Sequence, residues 1–394
     1  MIDFLDEAIK IKKELINIRR DIHEYPELGF EEKRTSRLIK SFLAKEGIKY
    51  TEVASTGVCG IIYGTGEGDS SKVIGVRADM DALPIQEKNG VPYASKVKEK
   101  MHACGHDAHT AILLGVARII NNNKEKFAGV VKLFFEPAEE TTGGAPIMIN
   151  EGVLENPNVD VVIGLHVTED LECGKIKIKK NMVHAASNPF KIKVKGSGGH
   201  GAAPSTTIDP IVIASNIIMS AQTIISREIA PVNPAVITFG SIHGGTAQNI
   251  IPEEVEMRGI IRTTTPEDRI KVVNRFEALV KGIANSMRGN AEVEIEESYP
   301  CLFNNDEMVD RAIKVATNII GKENVKEKKE TSLGVESFAY FANERPSVFY
   351  FLGTGNKEKK TNMPAHSSYF NIDEDAIPIG VAIQCGIIFD YLTI

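Results

Sequence analysis

The 394-residue chain is longer than one hydrophobic core usually serves, so it predicts one large domain and one smaller one. Hydrophobic residues make up 42% and charged residues 25%, a globular balance that excludes a disordered or collagen-like chain. With 46 Lys and Arg against 53 Asp and Glu the formal charge is -7, so no basic field draws phosphate backbones or anionic membranes, and neither nucleic acid nor a membrane is an expected partner.

The start, MIDFLDEAIKIKKE, carries Asp3, Asp6 and Glu7 where a secretory leader needs a basic region and then an apolar block, which predicts a cytoplasmic protein. A helix is expected over 3–20, a turn at 26–29 and a second helix over 31–44. Apolar β-rich runs follow: VCGIIYG, KVIGVRA, GVVKLFFE, VDVVIGLHV and, much later, SVFYFLG. Helix-length segments at 107–121, 307–320 and 376–391 lie among and after them. Near-continuous apolar strands alternating with helices predict an α/β fold, a mostly parallel sheet with helices on both faces. Between 188 and 300 the order becomes strand, helix, two strands, helix, strand, the βαββαβ of a ferredoxin-like unit inserted into the large domain. The expected domains are therefore 1–187 and 301–394 for the large one and 188–300 for the insertion. The most apolar long stretch, 211–225, is interrupted by Ser215, Asn216, Ser220 and Gln222 and is shorter than the ~20 residues of a membrane span. Five cysteines, an odd number without redox or zinc-knuckle spacing, argue against a disulfide framework.

Three of the nine histidines fall in MHACGHDAH with Cys104 and Asp107. Cys104 and His106 are two apart, a spacing that lets a thiolate and an imidazole meet one metal, and Gly105 allows the tight path between them; the alternative is a buried thiol beside turn histidines. Asp107 reads as the cap of the following helix. In FFEPAEE, Pro137 ends a strand and presents Glu139 and Glu140 at the sheet edge where parallel sheets hold ligands. A dication at one carboxylate would relieve their repulsion and leave the other free for proton transfer, whereas a solvated acidic turn is the plain alternative. GLHV puts His166 at the end of an apolar strand, where it is a ligand or a structural histidine. In RADMDALP, Asp79 and Asp81 close another strand, where an aspartate orients a ligand histidine or caps the turn. MPAHSSYF places His366 in a polar loop far from the others in sequence. In the insertion, His200 lies in GSGGHGAAP, Asn249 in GTAQNIIP and Arg262 on a later strand, a set suited to binding an anion or oxyanion.

Together these strings, with HEYPELGFEE and QNIIPEEVE, resemble over almost the whole length the metal-dependent amidohydrolase family of hippurate hydrolase, bacterial N-acyl-amino-acid amidohydrolases and plant auxin-conjugate hydrolases. The resemblance implies two divalent ions, zinc, manganese, cobalt or nickel, held by Cys104, His106, Glu140, His166 and His366, with the cysteine bridging. It implies Glu139 as general acid/base, Asp81 as the residue orienting a ligand histidine, and a less defined role for Asp79. The insertion matches the family's lid and dimerisation domain, so a homodimer or higher homo-oligomer is expected. His200 would stabilise the oxyanion, and Asn249 and Arg262 would hold the substrate carboxylate. The implied activity is hydrolysis of N-acyl-L-amino acids, with cleavage of short peptides as the nearest alternative and a non-catalytic binding protein as the remote one. Two positions depart from the family pattern: Ser337, where a carboxylate is usual, and Ser205, where a histidine is usual.

Overall fold

The computed structural model describes residues 2–141 and 143–393. In chain order the elements begin with α1 (Phe4–Glu24), α2 (Lys33–Lys45), β1 (Lys49–Val53), β2 (Gly57–Tyr63), β3 (Val73–Asp79), α3 (His106–Asn122), β4 (Val130–Glu136), α4 (Ala145–Asn150), β5 (Val161–Glu172), β6 (Ile176–Ile178) and β7 (Asn181–His184). They continue with β8 (Ala186–Lys195), β9 (Gly199–His200), α5 (Pro210–Thr223), β10 (Ala235–Gly244), β11 (Ile250–Ile251), β12 (Glu254–Thr263), α6 (Pro266–Ser286) and β13 (Asn290–Ile295). The last are β14 (Leu302–Asn304), α7 (Asp306–Ile320), β15 (Val325–Glu327), α8 (Phe338–Glu344), β16 (Ser347–Gly355) and α9 (Ala376–Thr393).

The chain forms two compact units. The first comprises Met1–Asn181, Phe303–Lys329 and Tyr340–Ile394. Its eight-stranded sheet runs β1-β2-β4-β3-β5-β16-β6-β15. The centre, β4-β3-β5-β16, is parallel, and antiparallel pairings join β1 to β2, β2 to β4 and β6 to β16. Every residue of β3, β4 and β16 is buried, so both faces of the central sheet are covered, which is why these runs are mostly apolar rather than alternating. On one face Val131, Leu133 and Phe135 share a core with α3 and α9; on the other Phe134 stacks on Phe341 at 5.3 Å between ring centroids. Helix α9 has the length and apolarity of a membrane span, but 78% of that stretch is buried inside the protein; it is apolar because it is a core helix packed on α1, α3 and α7.

The second unit comprises Met182–Leu302 with Glu330–Ala339. Its four-stranded antiparallel sheet runs β10-β12-β8-β13, with α5 and α6 packed on it. Strand β8 alternates buried Phe190, Ile192 and Val194 with partly exposed lysines, as expected for a sheet with one solvated face. Residues 330–339 join this unit through Ser332, whose N–H donates to the Val183 carbonyl and whose carbonyl accepts from the Ala185 N–H.

Candidate functional site

Strand register assembles the first unit's polar cluster. Asp79, the last residue of β3, pairs across the ladder with Glu136, the last of β4, while Arg77 pairs with Gly164 of β5. β3 and β4 therefore end at one level, and His166 of β5, two residues beyond Gly164, stands beside Asp79. The loops leaving this edge carry Asp81 and the Glu139–Glu140 pair, and α3 starts here with His106. The entry to α3 is tight: Gly105 has φ +90°, and a Cβ on it would lie 2.3 Å from Val167 Cγ2.

Cys104, His106 and His166 form one group of converging donor atoms, and Cys104, Glu140 and His366 form another, the atoms within each lying within 4.8 Å of one another. Cys104 is common to both. Its Sγ is 3.3 Å from His166 Nε2, and Glu140 Oε1 is 3.2 Å from His366 Nε2. Asp81 braces the cluster twice: Oδ1 lies 3.1 Å from His106 Nδ1, and Oδ2 accepts the Glu140 N–H at 3.0 Å. His166 Nδ1 is 2.6 Å from the Val167 carbonyl oxygen. Both imidazoles thus donate from Nδ1 and present Nε2 inward, the arrangement of metal-ligating histidines. His366, in the left-handed region at φ +63°, is pinned by its N–H to the Ala103 carbonyl at 2.8 Å, and the preceding Ala365 N–H donates to Glu169 Oε1 at 3.1 Å. Glu139 shares a third group with His106 and Glu140 and is buried.

These residues fit divalent cations. Nε2 of His106 is buried without a hydrogen bond and lies 3.8 Å from Glu140 Oε1. An orphaned polar atom inside a protein is costly unless something binds it. Burial, then the Glu140 charge, push the Cys104 thiol well above its ordinary range, so a cation beside it is what would ionise it. Burial disfavours a charge on His106, but Asp79, Cys104 and Asp81 outweigh it and raise its pKa well above the usual value, an acidic field that suits a cation at Nε2.

Two sequence readings change here. Both oxygens of Asp79 are engaged, Oδ2 by Arg77 Nη1 at 2.7 Å and Oδ1 by His109 Nδ1 at 2.5 Å. Burial opposes its charge, but His106, Arg77 and His109 prevail and hold it well below the carboxylate range, which suits it to bracing rather than to carrying a proton. Asp107 does not cap α3: Gly105 occupies the cap, and Asp107 is fully buried, 2.7 Å from both Arg19 Nε and His23 Nδ1. His109, which no motif singled out beyond its place in MHACGHDAH, accepts the Val167 N–H at Nε2 over 2.9 Å. Burial lowers its pKa to about 4, so it is a neutral prop for the peptide that orients His166. Its signal in the sequence was its position one helical turn after His106.

In the second unit, His200 and Ile250 are paired across the short β9–β11 ladder, and the Asn249 carbonyl accepts the Gly201 N–H at 2.8 Å. His200 and Asn249 are therefore neighbours. Arg262 is not with them: it pairs with Ser187 at the other end of the sheet, whereas Glu254, just after β11, pairs with Lys195. Eight residues of β12 separate the two ends, about 26 Å at strand rise, so one chain does not bring Asn249 and Arg262 onto the same carboxylate. Arg262 Nη1 is buried without a hydrogen bond. Ser205 lies exposed in a short helical turn, and Ser337 is fully buried.

Residues 75–390 match the sequence pattern of "Peptidase family M20/M25/M40". The chain is 40% identical over 376 residues to thermostable carboxypeptidase 1 of Saccharolobus solfataricus, covering 94% of this chain and 93% of that protein. It is 35% identical over 393 residues to the hippurate hydrolase of Campylobacter jejuni, covering 99% and 100%. The crystal structure of Bacillus subtilis YXEP, a dinuclear metal binding peptidase from the M20 family, superposes with a TM-score of 0.84 at 33% identity, covering 98% of this chain and 99% of that one. The ordered motifs, the shared fold and the converging donors have one explanation: the chain is a member of peptidase family M20/M25/M40.

Proposed function

We propose that this protein is a metal-dependent amidohydrolase that cleaves the amide bond of N-acyl-L-amino acids, releasing a carboxylic acid and a free amino acid. The observation that carries the reading is Cys104, common to two groups of donors that together comprise Cys104, His106, His166, Glu140 and His366. These five would hold two divalent ions, with Cys104 available to both groups of donors. When bound, such ions lower the pKa of a water and polarise the amide carbonyl. Glu139 takes the water's proton as the oxygen attacks the carbonyl carbon, and returns it to the nitrogen as the C–N bond breaks. Asp81 keeps His106 in its Nδ1-protonated form. His200 donates to the developing oxyanion, and Arg262 or Asn249 engages the carboxylate of the amino-acid half.

The second unit serves as lid and dimerisation surface in this reading. Strand β10 is an edge strand carrying Ile242 exposed, and α5 exposes Ile211, Val212 and Met219, an apolar face suited to a second copy. The separation of Asn249 from Arg262 supports a site to which two subunits contribute. The proposed compartment is the cytoplasm. Cleavage of short peptides at the C-terminal residue is the second reading, favoured by the 40% identity to a carboxypeptidase.

The test is amine release from N-acetyl, N-benzoyl and dipeptide substrates after reconstitution with zinc, manganese, cobalt or nickel. N-acyl amino acids should turn over faster than dipeptides, and Glu139→Gln should abolish turnover with metal content intact while Glu140→Gln loses metal. Turnover by Glu139→Gln at the wild-type rate would refute the assignment.

A further inference from the structure

Glu139 stands between two peptides, and each is held by a buried carboxylate. The Glu140 N–H on its C-terminal side donates to Asp81. On its N-terminal side the Ala138 N–H donates to Glu32 Oε1 at 2.9 Å, a bond spanning 106 residues. Ala138 is left-handed, φ +57°, a conformation that a residue with a Cβ keeps only where its surroundings enforce it.

Glu32 is available for this because another residue does its local work. It precedes α2 at the cap position, yet its side chain makes no capping bond. Glu27 caps the helix instead, accepting the N–H groups of Arg34 at 2.8 Å and Thr35 at 2.9 Å. The Glu32 carboxylate is thereby free to reach the turn, and Thr56 Oγ1 fixes it by donating to Oε2 at 2.6 Å. The same loop presses on Ala138 directly: a Cβ on Gly29 would lie 2.8 Å from Ala138 Cβ and 2.9 Å from its Cα. The segment 27–32 also reaches the other side of the cluster, its Glu27 carbonyl accepting the Ala82 N–H at 2.8 Å, one residue past Asp81.

We infer that Glu32 is a positioning residue for Glu139: by accepting the Ala138 N–H it holds the left-handed turn that aims the Glu139 carboxylate into the cluster. The inference rests on the proposed role of Glu139. Removing the acceptor lets the turn relax toward ordinary backbone angles and moves Glu139 off its proton-transfer geometry, whereas ligand atoms braced by Asp81 stay in place. A misplacement of about 1 Å in a catalytic group costs on the order of a hundredfold in rate.

Three variants test this in the metal-loaded enzyme, with kcat, KM and metal content measured for each. Glu32→Ala should lower kcat about ten- to a hundredfold with KM within about twofold and metal content unchanged. Glu32→Gln, whose amide oxygen still accepts the Ala138 N–H, should keep kcat within about threefold of wild type. Gly29→Ala, which pushes the same peptide and leaves Glu32 in place, should show the kcat-only loss and stands in if Glu32→Ala does not fold. Wild-type kcat in Glu32→Ala or Gly29→Ala, equal damage in Glu32→Gln and Glu32→Ala, or a kcat loss that follows lost metal would each overturn the positioning role. Glu139→Gln run in parallel separates the two ideas: if it is active the role of Glu139 fails, and if it is inactive while Glu32→Ala is fully active only the positioning role fails.

Discussion

Loss of hydration raises the Glu32 pKa to about 7; the Asp81 charge adds to that rise, and the hydrogen bonds from Thr56 and Ala138 only partly offset it. The folded chain therefore binds a proton here that the unfolded chain has released. The associated stabilisation is fully present below the ordinary carboxyl pKa near 4.5 and is lost as pH rises through about 7, on the order of 3 kcal/mol. Glu32→Gln removes the titration, so its melting temperature relative to wild type should rise between pH 4.5 and 7 and level off above, read by thermal melts across that range. A difference independent of pH would show that Glu32 does not titrate there. The neighbouring string MHACGHDAH was readable because thiol and imidazoles cluster within a few residues. Glu32 was not, because its partner is a backbone N–H far along the chain, and nothing in the letters GFEE distinguishes a bracing carboxylate from a solvated one.

Helix α3 shows why a motif's neighbours matter as much as its ligands. The spacing predicted a helix beginning at Asp107, and the helix begins one residue earlier, with glycine supplying the cap geometry. The aspartate is instead the anion of a buried group in which Arg19 also reaches Glu374 at 3.3 Å and His23 Nε2 lies 3.2 Å from Glu87. This ties α1 to the first turn of α3, beside His106. Asp107→Asn keeps the shape and removes the charge, taking from Arg19 and His23 the anion they share. Breaking one partner of a buried pair typically costs about 3–5 kcal/mol, so the variant should unfold at clearly lower urea concentration than wild type. An unchanged urea midpoint would mean that the pair contributes no net stability. Element boundaries were otherwise close to those the periodicity gave, the main exception being β5, which runs on to Glu172 beyond the apolar run VDVVIGLHV. Its polar continuation is paired with β16 through Gly355 and Glu172, a long-range pairing that local hydrophobicity does not encode.

At the scale of the molecule, the separation of His200 and Asn249, at the short β9–β11 ladder, from Arg262, at the far end of β12, leads to a prediction about assembly. If His200 serves the partner's site, an equal mixture of Glu139→Gln and His200→Ala subunits, each inactive as a homodimer, should recover about a quarter of wild-type activity, since half of randomly exchanged dimers are mixed and each holds one competent site. No recovery after verified subunit exchange would place His200 in its own chain's site or outside the chemistry. The sequence by itself determined the residue types of the donors, the two fold patterns and the strand and turn segments that carry Asp79, Glu139, Glu140 and His166, because burial periodicity and turn residues act over a few positions. Only the tertiary structure decided that His366 meets Glu140, that Asp79 is committed to Arg77 and His109, that Glu32 holds the turn before Glu139, and that Arg262 lies a strand's length from Asn249. Those outcomes depend on the register of parallel strands and on hydrogen bonds to distant backbone groups, and neither leaves a local trace in the order of residues.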